Sequence, residues 1–220
     1  MKIVKKTYDR HYHENFAYRE SENSQRNQKR MALLLEQRQS GDLLEIGCGT
    51  GGFLRLAEKH FAVEGMDISK YAVQVLQPQF GERVRVGNVE QHPLPSGRYD
   101  VVVVYNILEH LRQPHKVVDR IFASLKPGGL MIGSVPNNQK LVGQLITRIG
   151  NYVDRTHVST FTPQVWERIF KHSGFREVNL FGEVTLGRNR CAYLRGPRWP
   201  YLSFNLMFTC TRSINHPDVG

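Results

Sequence analysis

A doubly wound α/β fold with a mainly parallel sheet of seven strands is what the 220 residues predict, and three observations predict it. Short runs rich in Val, Ile and Leu alternate with helix-patterned segments through the middle of the chain. One of these runs, Val101 to Val104, is apolar on both faces, as a strand in a parallel sheet covered by helices must be. A cluster of glycines, "GCGTGG" over residues 47–52, follows the first run where a strand would turn into a helix.

The elements follow in order. Residues 7–39 place Tyr8, Tyr12 and Phe16, then Met31, Leu34 and Leu35, at helical spacing, which predicts two amphipathic helices and an N-terminal helical cap over 1–40. The runs "DLLEIG", "FAVEGMDI", "RVRVGN", "YDVVVVYN" and "GLMIGSVP" predict strands of a cofactor-binding core over 42–135. Between them, helices are expected at Phe53–His60, Lys70–Gln77 and Pro114–Leu125, the last stopped by Pro127 and Gly128. Beyond Pro136 the alternation lapses, and residues 136–161 are expected to form a partly helical insertion after strand 5, on the substrate side. "TPQVWERIFKHSGF" predicts a helix with Thr162 as N-cap, Pro163 at its first position and Gly174 as its stop. Strands at Phe175–Val184 and Ser203–Arg212 complete seven, with "GPRWP" as a loop and "NHPDVG" as a loose tail. These pieces, 162–213 being the C-terminal helix and strands, are expected to form one domain over 1–220.

Composition narrows the classes. The start of the chain has no apolar stretch of signal-peptide length, and no window holds the roughly 18 apolar residues that a membrane span needs, so a cytoplasmic protein is expected. Cys48, Cys191 and Cys210 show no C-x-x-C spacing, which signals neither a disulfide framework nor a zinc site. His11 and His13 have no accompanying carboxylate or cysteine cluster, so no metal is assigned. The formal charge of +10 and pI near 9.7 favour an anionic partner, whether nucleic acid, acidic membrane surface or acidic small substrate. The basic residues are scattered; the densest group is Arg188, Arg190, Arg195 and Arg198.

The glycine loop carries the chemistry. A phosphate-loop NTPase is excluded because Phe53 stands where a lysine should follow the glycine. The dinucleotide spacing G-x-G-x-x-G is met by Gly47, Gly49 and Gly52. Glu45, two residues before Gly47, would repel a pyrophosphate but suits an ammonium group. Asp67 ends the second strand about twenty residues on, where a carboxylate binds both hydroxyls of a ribose. The pocket thus wants an adenosine-like ribose and a zwitterionic tail, with Cys48 as the small residue within the loop.

These residues resemble a known family. "LLEIGCGTGGFL" resembles the E-x-G-x-G motif of class I S-adenosylmethionine-dependent methyltransferases, and "GMDIS" their ribose-binding acidic motif. "GNVEQHPLPSGRYDVVVVYNILEHL" is similar to the family's stretch around strand 4, and "LKPGGLMIGSVPNN" to its turn into strand 5. "DRTHVSTFTPQVWERIFKHSGF" is similar to a segment of the ubiquinone-pathway and sugar or secondary-metabolite methyltransferases. The matches run in order over about residues 42–176. The resemblance implies a Rossmann-like fold and S-adenosyl-L-methionine as cofactor. It places Gly47, Cys48, Gly49 and Gly51 at the methionine portion, Glu45 near its amino group and Asp67 on the ribose. Ile68 would lie against the adenine, Asn88 and Val89 at its edge, and Tyr105 and Asn106 on the floor after strand 4. Position 88, often Asp in the family, is Asn here.

Methyl transfer from a sulfonium is an in-line displacement, so alignment matters more than a catalytic group, with a base added where the nucleophile must lose a proton. His157 is the candidate base and Asp154 its orienter; Glu109 and His110, opening the segment after strand 4, are the other catalytic candidates. Tyr8, Tyr12 and Phe16 are candidates for a lid, or for plain core. Residues 137–161 and the Trp199–Tyr201 region mix Leu141, Leu145, Ile146 and Phe161 with Arg148 and Arg155. They suggest a small acceptor that is partly apolar, with an acidic group as an option. A methyltransferase acting on RNA or another macromolecule is the alternative, and an NAD-dependent oxidoreductase comes third. The sequence assigns no oligomeric state.

Overall fold

The computed structural model describes residues 10–16, 21–137, 158–186, 190–196, 203 and 205–214, which fall into two compact units, Met1–His92 and Pro93–Gly220. The first unit runs α1 (Arg10–Phe16), α2 (Gln25–Gln37), β1 (Asp42–Ile46), α3 (Gly52–Ala57), β2 (Ala62–Asp67), α4 (Lys70–Phe80) and β3 (Val84–Val86). Its strands lie in the order β3-β2-β1, all parallel. Two serines start its longer helices: Ser24 Oγ accepts from Asn27 N in α2, and Ser69 Oγ accepts from Ala72 N in α4. Each helix then buries one stripe, Asn27, Arg30, Met31 and Leu34 on α2 and Ala72, Val73, Leu76 and Phe80 on α4. Leu43, Leu44 and Ile46 of β1 are buried.

The second unit runs β4 (Tyr99–Tyr105), a 3-10 turn at Leu108–His110, α5 (Pro114–Ser124), β5 (Leu125–Pro136), α6 (Pro163–His172), β6 (Phe175–Leu186), β7 (Arg190–Leu194) and β8 (Asn205–Arg212). Its strand order is β4-β5-β8-β6-β7. Only β4–β5 is parallel; β5–β8, β8–β6 and β6–β7 are antiparallel. α5 and α6 cover it through aromatic contacts: the ring of Phe170 lies 4.7 Å from that of Phe208, and Phe122 meets Phe175 edge-on at 5.1 Å. Arg212 reaches from β8 to the end of α5, where Nη1 donates to the carbonyls of Phe122, Ala123 and Leu125. A buried cation thereby lies at the C-terminal end of α5, where a positive charge suits the helix dipole.

The expected sheet needs correcting. Among the described residues there are eight strands, not seven, and the sheet is mixed rather than mainly parallel. The added strand is β7, five residues set among arginines and bounded by glycines. Only residues 187–189 separate it from β6, a spacing that makes an antiparallel hairpin the available pairing. β5 also begins earlier than Gly129: Tyr99 pairs with Leu125 and Val101 with Leu130, so "KPGG" is looped out of register within the strand. α4 continues through Pro78 to Phe80, because the carbonyl that loses its donor belongs to the solvent-exposed Gln74. α3 stops at Ala57 instead of His60. The expected insertion lies outside the described residues except for Pro136, Asn137 and Val158–Phe161.

Candidate active site

In the first unit the loop after β1 is built on left-handed glycines: Gly47, Gly49 and Gly51 have φ of 77°, 51° and 85°. Its N–H groups are directed inward. Gly47 N and Cys48 N donate to Met66 O (2.7 and 3.4 Å), Gly51 N donates to Cys48 O (2.9 Å), and Gly49 N donates to Asp67 Oδ2 (2.8 Å). At Gly51 a side chain would also strike Leu76. A phosphate cradle needs such donors free for the ligand, and in this loop four of them already have partners in the protein.

Asp67 is the hinge of the loop. Its Oδ2 takes the Gly49 N–H and its Oδ1 takes the Ser69 N–H at 2.8 Å, so the carboxylate ties the end of β2 to the glycine turn. Glu45 lies buried in β1, two residues before Gly47. Ile68, next after Asp67, is 54% exposed, while Val89 is buried. Asn88 closes a turn: its Oδ1 accepts from Glu90 N (2.9 Å) and its backbone N–H donates to His92 Nδ1 (3.0 Å). His11 is exposed whereas His13 is buried beside Tyr12 and Tyr71, so the two imidazoles have different surroundings. A surface groove of ≈ 480 Å³ between α4 and β3, lined by Lys70, Gln77, Val84 and Val86 among others, contains none of these site residues.

In the second unit Tyr105 is buried at the end of β4 and Asn106 turns the chain with a left-handed φ of 54°. Asparagine tolerates that conformation better than most residues. Ser134 of β5 holds it there, accepting from Asn106 N through its backbone oxygen (2.8 Å) and donating from Oγ to Asn106 Oδ1 (3.0 Å). Glu109 is 1% exposed, with His110 Nε2 4.0 Å from its Oε1. The backbone oxygen of Glu109 accepts from both Val158 N and Ser159 N at 2.9 Å, and Ser159 Oγ donates to Leu111 O. The chain just after residue 157 is thereby tied to the turn that carries Glu109. Ser134 and Ser159 gave no signal in the sequence, because their roles depend on partners 28 and 48 residues away. His157, Asp154, Leu141, Leu145, Ile146, Arg148, Arg155, Trp199, Tyr201 and Tyr8 lie outside the described residues. Phe161 packs its ring 5.2 Å from that of Trp166.

A family model described as "Methyltransferase domain" matches residues 15–180. The chain belongs to the methyltransferase domain family. The resemblance of its motifs to class I S-adenosylmethionine-dependent methyltransferases is thereby borne out. This methyltransferase-family chain is 36% identical over 98 residues to a probable S-adenosylmethionine-dependent methyltransferase of Mycolicibacterium smegmatis, a match covering 44% of the chain and 38% of that protein. It is 25% identical to a malonyl-[acyl-carrier protein] O-methyltransferase of Serratia marcescens, over 80% of the chain and 58% of the relative. The chain thus spans well under two thirds of the length of these curated relatives. A crystal structure from Thermotoga maritima, described as a S-adenosylmethionine-dependent methyltransferase and possible histamine N-methyltransferase, superposes with a TM-score of 0.70 at 16% identity. It covers 92% of this chain and 95% of its own, a likeness of fold. The α/β, Rossmann-like methyltransferase fold is therefore established.

Proposed function

We propose that the protein is an S-adenosylmethionine-dependent methyltransferase that methylates a small, partly apolar acceptor, with an acidic acceptor group as one form, by in-line transfer in the cytoplasm. The observation that carries the reading is the glycine loop: four of its N–H groups, those of Gly47, Cys48, Gly49 and Gly51, are bonded to Met66, Asp67 and Cys48, and Glu45 lies buried two residues before Gly47, an arrangement that suits an ammonium group better than a pyrophosphate. The residues fit the cofactor. Glu45 receives its ammonium, Gly47, Cys48, Gly49 and Gly51 pass along its methionine portion, and Asp67 takes the ribose hydroxyls on the lone pairs its two N–H partners leave. Ile68 offers an exposed apolar face to the adenine, and Asn88 and Val89 its edge contacts. When bound, S-adenosylmethionine would supply an electrophilic methyl on a sulfonium with a neutral thioether as leaving group.

The chain's own residues align the acceptor and take its proton. His157 is assigned as the base with Asp154 orienting it, and the alternative base is the Glu109–His110 pair. The O-methyltransferase name of the Serratia marcescens relative supports an oxygen nucleophile. Calorimetric titration with S-adenosylmethionine, S-adenosylhomocysteine and NAD in parallel is the test. Binding of the two adenosyl thio-compounds alone is expected; binding of NAD alone would sink the reading.

A further inference from the structure

The register of the second unit's sheet assembles polar residues that no motif links. Asn205 opens β8 opposite Pro136, the last residue of β5, and is also opposite Glu183 of β6, which in turn faces Tyr193 of β7. Residues directly opposed across strands share a face, and alternate residues along a strand return to it. The same face therefore carries Ser134, two residues before Pro136, and Tyr105, which pairs with Ser134 across β4 and β5. Tyr105, Ser134, Asn205 and Glu183 thus stand on one face of this unit, towards the carboxyl ends of β4 and β5.

Glu183 is completely buried and Asn205 is half-buried. The amide nitrogen of Asn205 donates to Glu183 Oε1 at 3.3 Å, and Ser203 Oγ donates to the backbone oxygen of Asn205 at 2.8 Å. In this contact the Glu183 oxygen is the acceptor, which fixes which end of the Asn205 amide it meets. With Nδ2 on Glu183, Oδ1 must point the other way, and the row ends in one oriented acceptor. Burying a carboxylate in a sheet is costly. An apolar residue would pack there at lower cost but would leave the amide free to flip.

We propose that Asn205 Oδ1 reads a hydrogen-bond donor on the methyl acceptor, a hydroxyl or a protonated amine, and that Glu183 is the positioning residue that orients it. This inference rests on the methyltransferase reading. A molecule presenting only a carboxylate would bring oxygen against oxygen at this position, whereas a donor completes the row. Sites built to bond a substrate donor discriminate strongly against analogues that lack it.

The test uses the full chain, labelled S-adenosylmethionine and three probes: catechol for the hydroxyl arm, histamine for the ammonium arm, and benzoate, which has no donor at neutral pH. Transfer to catechol or histamine and none to benzoate is expected, and whichever is methylated identifies the source of the donor. Asn205→Ala and Glu183→Gln should each raise KM for that probe about 10- to 100-fold, with kcat within about twofold, the signature of lost binding. Calorimetry with S-adenosylhomocysteine on the same samples should give wild-type affinity for both variants, which also shows that they fold. Benzoate as the preferred acceptor, no transfer to catechol or histamine by a chain that binds S-adenosylhomocysteine, or unchanged KM in both variants, would overturn the inference while leaving the methyltransferase reading intact. A wild-type chain that does not bind S-adenosylhomocysteine would overturn both.

Discussion

At the scale of single residues, Asp67 and His157 should separate binding from turnover. Asp67 spends a lone pair of each oxygen on Gly49 N and Ser69 N, so its loss loosens the glycine turn and, on the proposed reading, also removes the ribose contacts. Charge-assisted hydrogen bonds contribute about 1.5–3 kcal/mol each. Asp67→Ala should therefore weaken S-adenosylhomocysteine binding by at least about tenfold and lower the melting temperature as well, read by calorimetry and thermal unfolding of one sample. Unchanged affinity would remove Asp67 from the ribose. His157→Ala should leave that affinity alone and reduce kcat on an oxygen acceptor by about 10²- to 10⁴-fold, the usual contribution of a general base. Equal turnover would transfer the role to Glu109 and His110. Asn88 adds a finer point: its Oδ1 is taken by Glu90 N, so if position 88 meets the adenine, the group it has left to offer is the amide N–H donor, which an aspartate lacks.

At the scale of elements, two glycines show what strand packing requires. Gly133 in β5 has an ordinary φ, yet a Cβ there would run into Val104 O and the Phe208 ring, so glycine is needed for space alone. Gly97 has a φ of 59° and nothing within reach of a Cβ, so glycine is needed there for conformation alone. Gly133→Ala should cost about 1–3 kcal/mol or more through overpacking of β5 on β4 and β8, and Gly97→Ala about 1–2 kcal/mol, both from urea midpoints. Equal midpoints for Gly133→Ala and wild type would mean that Phe208 and the β4 backbone give way. The same contrast explains what was legible beforehand. α5 and α6 start at prolines 114 and 163 and α6 is followed by Gly174, all local signals, so their limits were readable within a residue or two. β7 was not, since five residues among arginines show no alternation that survives without their partner strand. Glu45, the glycines and Asp67 could be singled out as candidates because they sit within short motifs. Asn205 and Glu183 could not, because register across β5, β8 and β6 creates their pairing.

At the scale of the whole molecule, the charge of +10 is the feature that the small-acceptor reading leaves unexplained. Any chain so basic will gather polyanions at low ionic strength, so RNA binding in dilute buffer decides nothing. The dependence on salt does decide. A protein that neutralises six to ten phosphates loses about 10³- to 10⁵-fold in affinity between about 50 and 200 mM salt, yet a specific site still binds at the upper end. On the proposed reading, a zwitterion at Glu45 and a ribose at Asp67 would release no comparable counterion cloud. Affinity for S-adenosylhomocysteine should therefore stay nearly level across that range, while affinity for a mixed-sequence RNA falls beyond detection and no label from S-adenosylmethionine enters the RNA. RNA that stays bound at about 200 mM salt and accepts the methyl group would make the macromolecular reading the correct one. The scattered basic residues would then be its phosphate contacts, and single Lys or Arg replacements should each reduce the salt slope by about one.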